Sequence, residues 1–395
     1  MSNHTHSRRE FMQVAGLSIL GLSVRMNANS HPLTELFNPP VALTLYIGTY
    51  TTGKSEGIYQ YKLETATGLL KPAGVTTGVS NPSFLAVSPN RKYLYAVNEV
   101  KDYEGKESGS VSAFAIDAQT GALKRLNRQS TQGGAPCHVI VDAKGKYVLV
   151  ANYTGGNAIV FPVKADGSLG AASDTKQHQG SGPNPQRQEK PHAHNVVLDP
   201  ANRYVFVSDL GLDKIMIYRF DAASGKLTAN QPHAASTQSG AGPRHFTFHP
   251  NGSFAFNINE LNSTITAFAY DKANGSLKEL QTVPALPEGF SGESYCADIH
   301  VSPNGKFLYG SNRGHDSIVV YAIDAKTGKL TYVEHVSVQG KWPRNFAIDP
   351  SGNYLLVANQ HTSNVVTFRI NPQTGKLTAT GTPVEVPDPV CLLFA

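Results

Sequence analysis

Two motifs recur along the chain, and their spacing constrains the fold more than any other feature. The first is an apolar strand, a turn and a second apolar strand that ends in Asn or Asp. It has six full copies, among them LAVSPNRKYLYAVN at 85–98 and FAIDPSGNYLLVAN at 346–359. The second is a tight Gly-containing turn followed by Leu, such as DAASGKL at 221–227, and it occurs seven times. Gly suits such a turn because the backbone there adopts positive φ.

Each repeat unit therefore contains two hairpin turns and about four short strands in roughly 50 residues, which is the period of a propeller blade. The missing halves of a seventh copy of the first motif lie at the two ends of the chain, at 43–50 and 388–394. Pairing them in one sheet would remove exposed sheet edges. We therefore predict an all-β fold, a seven-bladed β-propeller over 43–395, whose N- and C-terminal strands close one shared blade.

The N-terminal segment has the pattern of a targeting signal. The run SRREFM at 7–12 precedes an apolar stretch at 14–24, which is too short to span a bilayer comfortably. Paired arginines ahead of a moderate apolar stretch are typical of a twin-arginine export signal. We predict a signal at 1–29, a linker at 30–42, a periplasmic or otherwise exported protein, and no membrane contact after signal removal. The alternative is a frayed basic N-terminus on a cytoplasmic protein.

Charge and cysteine content narrow the classes of partner. The net charge of +5 is spread along the chain, and no run of Lys or Arg marks a nucleic-acid surface. The three cysteines form no CxxC pair, so buried thiols are expected rather than a zinc site or a disulfide framework. The expected partner is a small anionic substrate, and the oligomeric state stays open.

Comparison of the repeats with one another separates structural from functional positions. The residue nine places after the turn is Asn or Asp in every full copy, which indicates a local role in the turn. The positions six before, five before and ten after the turn vary but are often polar. Hairpin pairing brings six before and ten after to the same end of each blade. The candidates at these positions are Glu99, His138, His194, Arg244, His245, Glu260, Arg313 and Arg344.

Three arginines, a histidine and two carboxylates at one mouth of the central channel predict a site for an anionic small molecule. A single arginine in such a place would more often pair with a glutamate of the next blade. His138 and His245 lie at alternate strand parity, so packing between blades explains them equally well. His192 and His194 form a His-x-His pair that could bind a metal, but no third ligand is evident. We predict no metal and no cofactor.

The strings KPHAHNVVLDP (190–200), GAGPRHFTFHPNGSFAFNINELNST (240–264) and ADIHVSPNGKFLYGSNRG (297–314) resemble the propeller lactonase family. That family includes 6-phosphogluconolactonase and is similar in fold to the fungal carboxymuconate-lactonizing enzyme. The resemblance implies hydrolysis of a sugar lactone by water. It also implies a catalytic set of His194, Arg244, Glu260 and Arg313.

In the mechanism we expect, Arg244 and Arg313 stabilise the oxyanion, and Glu260 or His194 takes the proton from water. Arg344 holds a phosphate or carboxylate, and the remaining substrate-binding candidates are Glu99, His138, His192 and His245. Two alternatives stay open: a cycloisomerase of the muconate-lactonizing type, and a non-catalytic propeller that binds a sugar acid, glycan or protein. The export signal departs from the family, because a phosphorylated pentose-pathway lactone is cytoplasmic. An exported protein would act on another sugar lactone or would have lost the activity.

Overall fold

The computed structural model describes residues 42–395. Within this range the regular elements are β-strands, apart from one 3₁₀ helix at Leu210–Leu212, and no helix is long and apolar enough to cross a membrane. Most of the strands form seven antiparallel sheets, each with four strands in ladder order, and one of these sheets has a fifth short strand. The predicted export signal and all but the last residue of the predicted linker lie outside the described residues.

The seven sheets are blades, numbered along the chain, and each is given from its innermost to its outermost strand. Blade 1 consists of Pro389–Phe394, Ala42–Thr49, Gly57–Glu64 and Leu70–Thr77, and blade 2 of Leu85–Val87, Tyr93–Asn98, Ser110–Ile116 and Leu123–Ser130. Blade 3 consists of Pro136–Val141, Tyr147–Asn152, Asn157–Pro162 and Asp174–Gln177, and blade 4 of Ala193–Leu198, Tyr204–Asp209, Lys214–Asp221 and Lys226–Ser236. Blade 5 consists of Pro243–Phe248, Phe254–Asn259, Thr264–Asp271 and Ser276–Pro284, and blade 6 of Tyr295–Val301, Phe307–Arg313, Ser317–Ile323 and Leu330–Ser337. Blade 7 consists of Pro343–Ile348, Tyr354–Asn359, Asn364–Ile370 and Leu377–Ala379, with Val384–Glu385 also paired to its third strand. A separate two-stranded hairpin, Asp102–Tyr103 with Lys106–Glu107, lies in the connection between the second and third strands of blade 2.

The ring closes through the two ends of the chain. Leu45 pairs with Phe394 and Ile47 with Leu392, so the last strand is the innermost strand of blade 1. Innermost strands contact one another from blade to blade, and Pro389–Phe394 contacts those of both blade 2 and blade 7. The shared blade and the seven-blade count are therefore as predicted.

Turns of the second motif fix each blade against the one before it. Gly225 in blade 4 has φ of 66°, and a Cβ placed on it would lie 2.3 Å from the ring of Tyr147 in blade 3. Gly275 in blade 5 stands in the same relation to Tyr204 in blade 4. Only glycine allows both the positive φ and this close approach. The repeated Gly thus forms part of the contact between blades as well as the turn.

The repeated Asn nine residues after the turn has a structural role. Asn98, Asn152, Asn312 and Asn359 are almost fully buried, and each side-chain amide donates to a backbone carbonyl in the connection that leads into its own blade. The distance from Asn312 Nδ2 to the Ala285 carbonyl, for example, is 2.7 Å. These bonds satisfy buried backbone groups where the chain crosses between blades.

Candidate active site

A β-bulge in the innermost strand places the variable residues at the channel mouth. In blades 3, 4, 5 and 7 the strand register shifts around the residue six before the turn, so that Cys137, His194, Arg244 and Arg344 each have no opposite partner. A bulge adds a residue to one strand and re-aims its side chain. Repetition of the bulge turns these side chains together toward one end of the channel. The sequence periodicity does not reveal this bulge.

Glu260 is the centre of a buried ion-pair cluster at the mouth. Its Oε2 accepts from Arg244 Nε at 3.0 Å and lies 2.8 Å from Arg313 Nη2, while Oε1 accepts from Arg187 Nη2 at 2.5 Å. Glu260, Arg244 and Arg313 are each at most 5% exposed. Desolvation favours the neutral carboxyl, but the three guanidinium groups outweigh it and hold the pKa of Glu260 far below its usual range. Glu260 is therefore ionised, and both of its oxygens are engaged.

The backbone fixes the two buried arginines from the other side. Arg244 Nη1 donates to the Ala297 carbonyl, and Arg313 donates to the carbonyls of Tyr295 and Cys296. Burial, followed by the Arg313 and Arg344 guanidinium groups, lowers the pKa of Arg244 despite the neighbouring Glu260 carboxylate.

Arg187 belongs to this cluster although its position in the sequence gives no sign of it. It lies in the 178–192 connection, which has no counterpart in the other repeats. Its neighbour Gln188 is fully buried and donates to the Leu210 carbonyl at 2.8 Å and to Asp213 Oδ1 at 2.7 Å. The connection is therefore anchored, and it holds Arg187 over the mouth, where its guanidinium also faces the ring of Tyr295 at 5.9 Å.

Arg344 is unlike the other three arginines. It is partly buried and forms no hydrogen bond or ion pair with any residue of 42–395, and its guanidinium lies 5.4 Å from the ring centroid of Tyr50. Tyr50 in turn donates to Glu99 Oε2 at 2.9 Å, and Ser83 donates to the same oxygen at 2.5 Å. A guanidinium without a hydrogen-bonded protein partner is available to an incoming anion.

The histidines of the innermost strands lie at two depths along the central channel. His194 faces the mouth, with its Nδ1 3.8 Å from Cys137 Sγ, and burial with the nearby arginines keeps the pKa of His194 well below its usual value. His138 and His245 lie one residue deeper and reach across to neighbouring blades. His138 bonds Asn195 of blade 4 at 2.9 Å, and His245 bonds Asp298 of blade 6 at 2.7 Å.

His192 forms no hydrogen bond or ion pair with the arginines or glutamates of the mouth described above. Its ring stacks on Tyr153 with centroids 4.5 Å apart, and its nitrogens bond the Tyr153 carbonyl and the Glu189 carboxylate. The His-x-His pair therefore does not converge on one point. Across residues 42–395, no group of three or more His, Cys, Asp or Glu side chains is placed to hold a metal ion. The three cysteines are all free and buried.

Comparison with known proteins assigns the chain to a family. Residues 44–394 match the family model described as "Lactonase, 7-bladed beta-propeller". The chain belongs to this lactonase family. It is 41% identical to a 6-phosphogluconolactonase of Bacillus subtilis over 349 residues, which cover 88% of this chain and 97% of the relative. Membership confirms the predicted fold and the prediction of a lactone hydrolase.

Two further relatives agree. A 6-phosphogluconolactonase of Formosa agariphila is 39% identical over 310 residues, covering 77% of this chain and 86% of that protein. The solved structure of a periplasmic gluconolactonase from Pseudomonas aeruginosa superposes with a TM-score of 0.84 at 38% identity, covering 90% of this chain and 99% of the other.

Proposed function

We propose that this lactonase hydrolyses a sugar lactone to the corresponding sugar acid at the cationic mouth. The observation that carries the proposal is Arg344, a guanidinium without a protein partner beside the buried Glu260 cluster. Four arginines and two glutamates meet there, so the mouth has an excess of positive charge. The relatives named for sugar-lactone substrates support the choice of substrate class.

In this mechanism the arginines act on the carbonyl group. As water adds to the carbonyl carbon, negative charge develops on the carbonyl oxygen, and preorganised donors at that point lower the barrier. Arg344 is the donor that the protein leaves free, and Arg244 has an unused Nη2 nearby. Glu260 holds Arg244 and Arg313 in place, because both of its oxygens are occupied by guanidinium groups. The proton of the water therefore goes to another group.

The same charge favours an anionic substrate. A phosphate or carboxylate on the sugar would neutralise part of the excess charge contributed by Arg187 and Arg344. We expect a phosphorylated sugar δ-lactone to have a lower KM than its unphosphorylated counterpart, and this preference to weaken as salt is added.

A panel of lactones assayed by pH-stat, with spontaneous hydrolysis subtracted, tests the proposal. The panel should include glucono-δ-lactone, its 6-phosphate and a carboxymuconolactone. Acid release from a sugar lactone is the expected result. Turnover of the carboxymuconolactone alone would favour the cycloisomerase, and tight binding of a sugar acid without any turnover would favour a binding protein.

We also propose that residues 1–29 direct export. The support is the SRREFM sequence before the apolar stretch and the likeness to a periplasmic gluconolactonase. An exported enzyme would meet unphosphorylated sugar lactones, whose hydrolysis still develops negative charge at the carbonyl oxygen. The cationic mouth is suited to that charge as well.

A further inference from the structure

His245 presents an unused ring nitrogen inside the site. The residue is 4% exposed, and its Nε2 has no hydrogen-bond partner among residues 42–395. His245 lines a small cavity at the mouth together with Glu99, His194, Arg244 and Arg344. The cavity has room for about one water molecule. Buried polar atoms almost always have a hydrogen-bond partner, so we expect Nε2 to bind a water molecule or a substrate atom.

Asp298 fixes the tautomer of this histidine. Its Oδ1 lies 2.7 Å from His245 Nδ1 and also accepts from the Ile299 backbone N–H, and its Oδ2 accepts from Asn345 and the Phe346 N–H. The Asp298 carboxylate is ionised, because His300, whose Nε2 lies 2.9 Å from Oδ2, and the hydrogen bonds with His245 and His300 hold its pKa well below the usual value despite burial. His245 therefore carries its proton on Nδ1, and Nε2 has a free lone pair.

The surroundings also keep the ring neutral. Burial and the Arg244 guanidinium lower the pKa of His245 to about 4, against the opposing effect of Asp298. The other titratable or charged groups around it are His138, His194, His300 and Arg344, and the Glu99 carboxyl group lines the same cavity. At neutral pH the lone pair of Nε2 is thus available.

Other groups at the mouth are less available as bases. Both oxygens of Glu260 are bound by arginines, and Glu99 Oε2 already accepts from two hydroxyls. His194 lacks a carboxylate partner, since its Nδ1 faces Cys137 Sγ. Among the described residues that line the cavity, only His245 has both an unpartnered ring nitrogen and a carboxylate on its other ring nitrogen.

We propose that His245, oriented by Asp298, binds and deprotonates the water that attacks the lactone carbonyl; this rests on the lactonase function proposed above. The water oxygen bonds to the carbonyl carbon while one of its protons moves to Nε2. The tetrahedral intermediate then breaks its bond to the ring oxygen, and Nε2 returns the proton to that oxygen. The product is the open hydroxy acid. Negative charge on the carbonyl oxygen and the Asp298 carboxylate stabilise the transient imidazolium.

The test compares His245→Gln with His249→Gln on the best lactone of the panel. His249 is similarly buried and follows directly after the other end of the same strand, where its Nε2 bonds the Gly305 carbonyl. We expect kcat to fall by about 10² to 10⁴-fold in His245→Gln, with KM within about 3-fold, because general-base catalysis contributes in that range. His249→Gln should keep kcat within about 3-fold. Asp298→Asn should also lose kcat, because an amide donor to Nδ1 would force the proton onto Nε2.

A second measurement does not depend on activity. ¹⁵N-histidine NMR of the wild type should show His245 neutral at pH 7 and protonated on Nδ1, with wild-type kcat decreasing only as pH falls through about 4. An Nε2-protonated His245, or kcat within 3-fold of wild type in folded His245→Gln, would overturn this assignment and leave the lactonase proposal standing. If the decrease of kcat at low pH disappears in Glu99→Gln but persists in His245→Gln, Glu99 is the base. A wild type inactive on every lactone would overturn both proposals.

Discussion

Glu260→Gln should destabilise the propeller markedly, because one carboxylate balances three guanidinium groups. The substitution keeps the shape of the side chain and removes its charge, leaving Arg244 and Arg313 buried with carbonyl partners only. Removing one partner of a buried ion pair typically costs about 3–5 kcal/mol. An unfolding entropy of about 2.1 cal/mol/K per residue implies about 1.3 °C per kcal/mol for a domain of this length, so Tm should fall by about 4–7 °C.

The effect should depend on pH in a defined direction. The folded pKa of Glu260 is lowered, so its contribution to stability is complete above the unfolded pKa and is lost as pH falls toward the folded pKa. With an unfolded pKa of about 4.3, the wild type should lose about 1.8 kcal/mol of this contribution between pH 7 and pH 3. The variant lacks the group, so the Tm gap between the two proteins should narrow by about 2 °C at pH 3.

Calorimetry at the two pH values measures both effects, and Glu99→Gln is the matched control. Glu99 is a second mouth glutamate whose Oε2 accepts only from the hydroxyls of Tyr50 and Ser83. Its loss should cost about 1–2 kcal/mol, or about 1–3 °C. A Tm for Glu260→Gln within 1 °C of the wild type, or equal shifts in the two variants, would refute the view that Glu260 holds the arginines together.

Three further predictions concern the fold and export. Gly225→Ala should lower Tm more than Gly105→Ala, because both glycines have positive φ but only at Gly225 does a Cβ meet an aromatic ring of the preceding blade; equal shifts in thermal melts would argue against the packing role. Deleting 389–395 should abolish cooperative melting, since it removes the innermost strand of blade 1, and a retained sharp transition would contradict the shared blade. A reporter fused to residues 1–42 should be exported, and Arg8→Lys with Arg9→Lys should keep it in the cytoplasm; unchanged export in fractionation assays would remove the twin-arginine argument.

The repeat period was enough to predict the architecture, because each blade repeats the same local chemistry. Gly at positive φ and the Asn after each second strand recur for reasons that lie within one blade and its neighbour. The split copy at the chain ends could be recognised because its two halves complete one motif. Hairpin pairing likewise brings Arg244, in the innermost strand, and Glu260, directly after the adjacent strand, to the same end of blade 5.

What the sequence could not reveal depends on contacts without a repeat. Arg187 lies in the connection between blades 3 and 4, which has no counterpart in the other repeats. The neighbouring Gln188 anchors this connection, and Arg187 thereby reaches Glu260. Tyr50 occupies the position ten after the turn in the split blade, so it is not among the positions that the six full copies align. The pairing of His245 with Asp298 crosses from one blade to the next, and the bulge that separates the levels of His194 and His245 changes no residue spacing.

The central claim is that the Arg344 guanidinium stabilises the oxyanion formed during hydrolysis of a sugar lactone. The substitution Arg344→Ala tests it most directly. Arg344 has no hydrogen bond or ion pair with residues 42–395, so its removal leaves no partner unpaired and Tm should stay within about 2 °C of the wild type. Loss of one oxyanion donor typically reduces kcat by about 10² to 10³-fold. The account predicts this loss, measured by pH-stat on the best sugar lactone, in a variant that is otherwise folded. A folded Arg344→Ala protein with wild-type turnover would contradict it.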